Sequence, residues 1–407
     1  MEGYSLEEVR RALLKPAEYG PDINLDDYST GESQSAEIKS GGEVPGEAVN
    51  AGGRIGIDAS SAAYIQVNEL ALYRILERTL GKYGVRIMPT RLALEKTEIA
   101  RSLAWRLVDP RSDKYTASVF LHGGELGYFI YVPKGVKVPI PIYTCLAITA
   151  NRRIQYAHNI VFIDEGAEAH LVTGCSVPHG VSEGVHIGVS EFYVSRRARL
   201  TFTMIHAWAE GMHVRPRTAV WVDEDGEYVS YYMIYSKIAS LQTYPRVELS
   251  AGAKAYLASI IAGSGSGVYD QGSMVLLKGR GSSAEIISRV VATDSAEVYA
   301  RSSIEAYEAE ARGHIECLGL QLSEKAVVSS LPAITSRKPG SILTHEAAIG
   351  MIAEREIHYL MSKGFTESEA KSVLVRGFMS ISVPGIPLPV RKEVERLLDM
   401  IAKNATG

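Results

Sequence analysis

From about Val119 to Leu343 the chain reads as one short strand after another, apolar and polar positions alternating, with almost no helical period. A small-residue turn followed by an alternating strand keeps returning, as in Lys134–Val138, Glu165–Ala169, Arg196–Leu200, Asp225–Val229, Ala251–Ala255, Ser282–Ile286 and Asp294–Val298. Val136, Ala167 and Ala198 stand 31 residues apart, as do Ala253 and Ala284, while Ala296, Ala311 and Ala326 follow at intervals of 15. A period of roughly 20–50 residues built from strands and tight turns points to a solenoid or propeller. Each coil has an apolar inner row that it cannot bury alone, and stacking coils at about 4.8 Å buries those rows and pairs the backbone edges. The recurring alanine fits a corner where the wall bends inward. The reading is a mostly-β chain: a right-handed parallel β-helix over residues 119–343 with helical N-terminal and C-terminal segments. A β-sandwich or propeller is the alternative.

Outside that stretch the period becomes helical. In the N-terminal segment, residues 1–28, Ser5 to about Lys15 reads as a helix with Ser5 as N-cap and Glu8 three residues on. Residues 29–50, rich in Gly, Ser and Glu, read as a flexible linker. Residues 51–118 are expected to form an α-rich domain that covers an open end of the coil stack. One helix is expected over 68–82, with Leu70, Tyr73, Leu76 and Leu80 on one face, and another over 91–108, stopping before Asp109–Pro110. Residues 344–407 read as a C-terminal helical domain. Ile349, Ile352, Ala353, Ile357 and Leu360 form one stripe, Thr366 and Glu369 make a capping box, and an amphipathic helix runs from Val390 to Ala402. This domain either finishes the coil stack or offers a docking patch.

Composition narrows the field. The 407 residues are 46% hydrophobic and 22% charged, with a formal net charge of −4. Mild acidity without a basic run argues against nucleic acid as a partner. Three widely separated cysteines, Cys145, Cys175 and Cys317, include no CxxC pair, so neither a disulfide framework nor a zinc knuckle is indicated, and a reducing, cytoplasmic location is expected. The start lacks a basic-then-apolar leader pattern, and the most apolar run, Tyr128–Thr149, is broken by Lys134, Lys137 and three prolines, so no membrane span is expected.

Three places carry candidate chemistry. His170, Cys175 and His179 lie close together, with His186 just beyond; imidazole and thiolate suit iron, zinc or iron–sulfur ligation, but the spacing matches no closed zinc site. Thr344–His345–Glu346 reads either as a helix N-cap with a first-turn acid, which spacing alone favours, or as a metal-binding or proton-passing pair. Cys317 shares one face of an alternating strand with Ile315, while His314 and Glu316 share the other. Gly263–Gly267 is glycine-rich, but neither Gly-Lys-Ser/Thr nor a helix follows, so no nucleotide is expected to bind this chain. A histidine-based metalloenzyme using His170, His179 and His186, and a β-helix enzyme acting on polysaccharide, remain as alternatives.

Several blocks together resemble the SufB/SufD family of iron–sulfur cluster assembly proteins from about Ser60 onward: Ala63–Val67, Gly174–Pro178, Thr201–Trp208, Leu343–Gly350, and Gly364–Ala370 through Arg376–Phe378. The resemblance implies a parallel β-helix with a C-terminal helical domain, and a non-catalytic scaffold on which a transient iron–sulfur cluster is built. It implies a homodimer or SufB–SufD heterodimer through the β-helix and a SufC-like ABC ATPase bound by the C-terminal helices. Cys175 matches a cysteine associated with sulfur entry, His345 a histidine at the cluster-building interface, and Glu346 the acid beside it. Ala326 stands where a sulfur-accepting cysteine is aligned, with Cys317 the nearest thiol upstream.

Overall fold

In a computed structural model, which describes residues 4–32, 34–37, 43–58, 62–73, 80–123 and 126–405, about eight coils stack into a parallel β-solenoid flanked by helices at both ends of the chain. Each coil contributes a strand to each of two sheets. The first sheet runs through Ile142–Ala147, Glu168–Ser176, Arg199–Ala207, Glu227–Ile234, Lys254–Gly263, Ser283–Ala292, Arg312–Gln321 and Ile342–Gly350. The second ends with Val268–Leu277, Glu297–Ala306 and Val327–Ser336.

The register shows why the spacing was legible. Glu168 pairs with Arg199, 31 residues on, and Arg153 with Gly184, also 31 on. Later coils tighten, since Glu227 pairs with Lys254 and Lys254 with Ser283, so the corner after Ala253 is the buried Ser282 rather than Ala284. The 15-residue intervals are half-coils: Ala296, Ala311 and Ala326 are buried corners that open strands of alternating sheets. The residue before most corners of the first sheet is left-handed, as at Gly166 (φ 65°), Arg197 (φ 57°) and Glu310 (φ 62°), which tucks the following small side chain inward.

The N-terminal region departs from its expected helices. Leu70–Tyr73 is a strand, paired antiparallel with Tyr64–Val67 across a tight turn at Asn68 (φ 49°) and parallel with Gln34–Glu37. Backbone pairing at the end of the first sheet overrides the helical stripe there; the rest of that expected helix, residues 74–79, lies outside the described residues. Within 29–50, Gln34–Glu37 is a strand and helix α2 (Gly46–Arg54) begins; residues 33 and 38–42 lie outside the described residues. Upstream, Ser5 precedes α1 (Leu6–Ala12). The helix expected over 91–108 is two, α3 (Thr90–Lys96) and α4 (Glu98–Leu103), because Thr97 turns extended and its hydroxyl caps Ala100 N–H. A short α5 (Lys114–Ser118) follows. The first end of the solenoid is thus covered mainly by strands.

The C-terminal helices do not close the other end. Ile349 lies in the last strand, and the helix begins later, at α6 (Glu354–Met361). Then come α7 (Glu367–Met379), opened by the expected Thr366–Glu369 capping box, and α8 (Leu388–Ala405). Val375, Met379, Val390 and Leu397 bury themselves with Val229, Met233, Ile260 and Val291 on the outer face of the first sheet. The last coil is left exposed: Ile342 is 60% and Leu331 44% accessible, although coils behind it are buried. No helix among the described residues is long and apolar enough to cross a membrane.

Candidate functional site

The sequence candidates fall at two places, inside the solenoid and at its open end. Cys175 lies on Glu168–Ser176, 1% exposed and facing the interior, its Sγ 3.8 Å from Met204 Sδ. Burial, with Cys145 nearby, raises its thiol well above the ordinary range; burial alone pushes Cys145 up to about 12. Gly174 leaves the outer side of the strand open for Ile55 and Ile57, whose methyls would collide with a Cβ there. The Ser176 hydroxyl donates to Ala51 of α2 at 2.7 Å, and Arg54 donates to the carbonyl of Val177 at 2.7 Å, so α2 is tied across the corner that follows Cys175.

His170, His179 and His186 do not converge. His170 lies on the outer side of the sheet, where burial drops its pKa to about 4 and its Nε2 meets Thr203 Oγ1 at 3.2 Å. His179 is exposed at a corner. His186 faces the interior from the second sheet, its Nδ1 3.0 Å from Gln155 Oε1, with burial dropping its pKa to about 4. Among the described residues no three His, Cys, Asp or Glu side chains gather as a metal site.

Thr344, His345 and Glu346 lie in the last strand, Ile342–Gly350, so Thr344 caps no helix there. His345 pairs in register with Ile315 and Ala347 with Cys317, both of which are buried inside the solenoid, so His345 takes the interior side of the open end. Glu346 pairs with Glu316 on the outer side, where Glu316 meets Arg289. The two neighbours in sequence therefore point to opposite sides. Ala326 is a buried corner, 2% exposed, and Cys317 is the thiol one strand behind His345, its Sγ 3.6 Å from Ser302 Oγ.

A column of interior positions joins these places. In register, Met204 is followed by Tyr232, Ser259, Ser288, Cys317 and Ala347. The Ser259 and Ser288 hydroxyls are 2.9 Å apart, and a cavity of about 40 Å³ is lined by Met204, Tyr232, Ser259, Gln271 and Ser273. Six strand steps at about 4.8 Å put Cys175 roughly 29 Å from the last strand, so within one chain it does not meet His345. Sequence reading passed over this column because each coil contributes one member. Phe202, Met204, His206 and Trp208 share a face by simple alternation, but only stacking shows what lies beside them.

Comparison with known proteins places the chain in a family. The profile described as "SUF system FeS cluster assembly, SufBD core domain" matches residues 146–378. An iron–sulfur cluster assembly SufBD family protein of Methanothermobacter thermautotrophicus is 38% identical over 98% of both chains. The chain belongs to the SufBD family. Another SufBD protein, from Archaeoglobus fulgidus, is 39% identical over 79% of this chain and 86% of its own length. One from Pyrococcus horikoshii is 27% identical over 97% of this chain and 90% of its own. The SufBD core match spans the coils from Leu146 and both α6 and most of α7, thus including every candidate residue named above.

Proposed function

We propose that this SufBD protein is a non-catalytic scaffold subunit of a SUF-type assembly system, dimeric through its open coil and driven by an ABC-type ATPase. The observation that carries the reading is the interior column of soft and polar side chains that leads from Cys175 and Met204 to Cys317 and ends beside His345 at an unpaired strand. Sulfur enters at Cys175 and is handed on toward Cys317, which takes the part that the family resemblance aligns with position 326. Iron and sulfide are assembled, as cargo, at the seam where His345 and Glu346 of two chains come together. Thiolate, imidazole and carboxylate are ligands that hold iron and can release it again, as a scaffold requires.

Two surfaces support the partners. The last strand offers its outward backbone groups to a second SufBD chain, and Ile342 and Ile349 offer apolar contact. Tyr359 (62% exposed) on α6, Phe365 just after it and Val373 on α7 are exposed apolar side chains of the C-terminal helical region, where an ATPase would dock. Three free, buried cysteines suit a reducing cytoplasm. Anaerobic reconstitution with iron and sulfide, followed by absorption and Mössbauer spectroscopy with and without the ATPase, tests the scaffold role. A cluster is expected in the wild-type chain and loss of it in His345→Ala and Cys317→Ala; normal cluster formation in both variants, or failure of a folded ATPase to co-purify, would overturn the proposal.

A further inference from the structure

Cys175 has a neighbour that the function above leaves unused. Its partner in the ladder is His206, on the same interior face of the adjacent strand. Trp208 Nε1–H donates to His206 Nδ1 at 2.7 Å. Because an indole nitrogen can only donate, Nδ1 must be the accepting nitrogen and Nε2 must carry the hydrogen. That Nε2–H is fully buried and makes no hydrogen bond among the described residues. A buried donor left without an acceptor is costly and rare in a folded core. Tyr232, whose ring centroid is 5.1 Å from that of His206, has a buried hydroxyl in the same condition. Two orphaned donors therefore flank the touching pair Cys175 and Met204, His206 in register with Cys175 and Tyr232 in register with Met204, and a cavity of about 40 Å³ opens beside Met204 and Tyr232.

We propose that His206, with Tyr232 beside it, is the hydrogen-bond donor that holds a persulfide on Cys175 as its anion. The inference rests on the reading of Cys175 as the sulfur entry point. In the step, Cys175–SH and a donor persulfide anion, R–S–S⁻, give Cys175–S–S⁻ and R–SH. A bond forms between Sγ and the terminal sulfur of the donor, the donor's S–S bond breaks, and its inner sulfur leaves with the electron pair and takes the Cys175 proton. Nothing is oxidised or reduced overall. An anion buried among apolar side chains without donors would be strongly disfavoured, and two N–H and O–H groups already stripped of water and lacking partners supply what it needs.

The test uses the full chain under anaerobic conditions, equilibrated with glutathione persulfide and glutathione at a fixed ratio, then quenched under denaturing conditions and read by mass spectrometry at each cysteine. His206→Leu should lower the equilibrium occupancy of persulfide on Cys175 by about tenfold, the usual effect of a lost hydrogen bond to a charged group. His206→Gln should hold occupancy within about threefold, because a carboxamide offers an oxygen to Trp208 and an N–H to the persulfide. Tyr232→Phe should show a smaller loss and carries the test if His206→Leu does not fold. Equal occupancy in wild type, His206→Leu and Tyr232→Phe would overturn the proposal, as would a fall in His206→Gln matching that in His206→Leu, which would reduce His206 to packing. Wild-type protein carrying no persulfide on Cys175 would instead overturn the entry-point reading on which it rests.

Discussion

Two buried residues show how much single side chains carry here. Glu191 is wholly buried, and its carboxylate accepts from the N–H groups of Trp105 (2.6 Å), Leu107 (2.6 Å) and Val108 (3.1 Å) while His158 Nε2 lies at 2.8 Å. It holds the loop after α4 against the second sheet, with Trp105 in a left-handed conformation (φ 60°). Glu191→Ala strands three backbone donors and an imidazole, so a loss of about 3 kcal/mol or more is expected, seen in calorimetry as a lowered Tm. His186 acts through pH. Its pKa in the fold, about 4, lies below the unfolded value of 6.5, so below pH 6.5 the unfolded chain binds the extra proton. Its contribution is complete above pH 6.5 and fades as pH falls toward 4; roughly 2 kcal/mol should be lost between pH 7.5 and 5. Urea denaturation at the two pH values checks this: because His170 and His213 are also held near 4 and lose stability over the same range, His186→Gln should shrink the difference by about 2 kcal/mol without abolishing it.

At the scale of elements, the two strands of the last coil differ in how they meet solvent. Val327 N–H bonds back to Ala296, so in Val327–Ser336 the even residues face outward, and one of them is Pro332, which has no N–H to offer. Ile342 N–H bonds back to Ala311, so in Ile342–Gly350 the odd residues, Leu343, His345, Ala347 and Ile349, turn their N–H groups outward. One edge is blunted and the other is open, which favours the His345 strand as the seam of the proposed dimer. Ala347→Pro removes one outward donor without touching the pairing to Arg312–Gln321. Light scattering after gel filtration should then show a shift from dimer to monomer with Tm changed by only a few degrees, whereas Pro332→Ala should leave the oligomer as it was.

For the molecule as a whole, the decisive feature is where the last helices go. By folding back along the outer face of the first sheet they bury apolar side chains of three successive coils, at Val229, Met233, Ile260 and Val291, and leave the coil end free. Removing residues 354–407 should uncover that face and give aggregation in gel filtration, not a shorter soluble rod. The same placement puts α6 on the flank and the open strand at the end, so the proposed ATPase and second SufBD chain would take separate surfaces.

What was legible in the chain was whatever repeats locally. Strand alternation and the corner alanines at Ala167 and Ala198 come from backbone geometry that each coil satisfies by itself, so the solenoid and its two half-coils could be read directly. The Thr366–Glu369 box was legible for the same reason: its bonds span three residues. Leu70–Tyr73 was misread because a helical stripe and an end strand compete, and only pairing with Tyr64–Val67 and Gln34–Glu37 settles the contest. His345 and Glu346 were picked out, but not their opposite sides, since the strand runs past the point where a helix was expected. Which side chains line up inside, Met204 with Tyr232, Ser288 with Cys317, His206 with Cys175, depends on registers between residues about 30 apart, and only the stacked chain sets those.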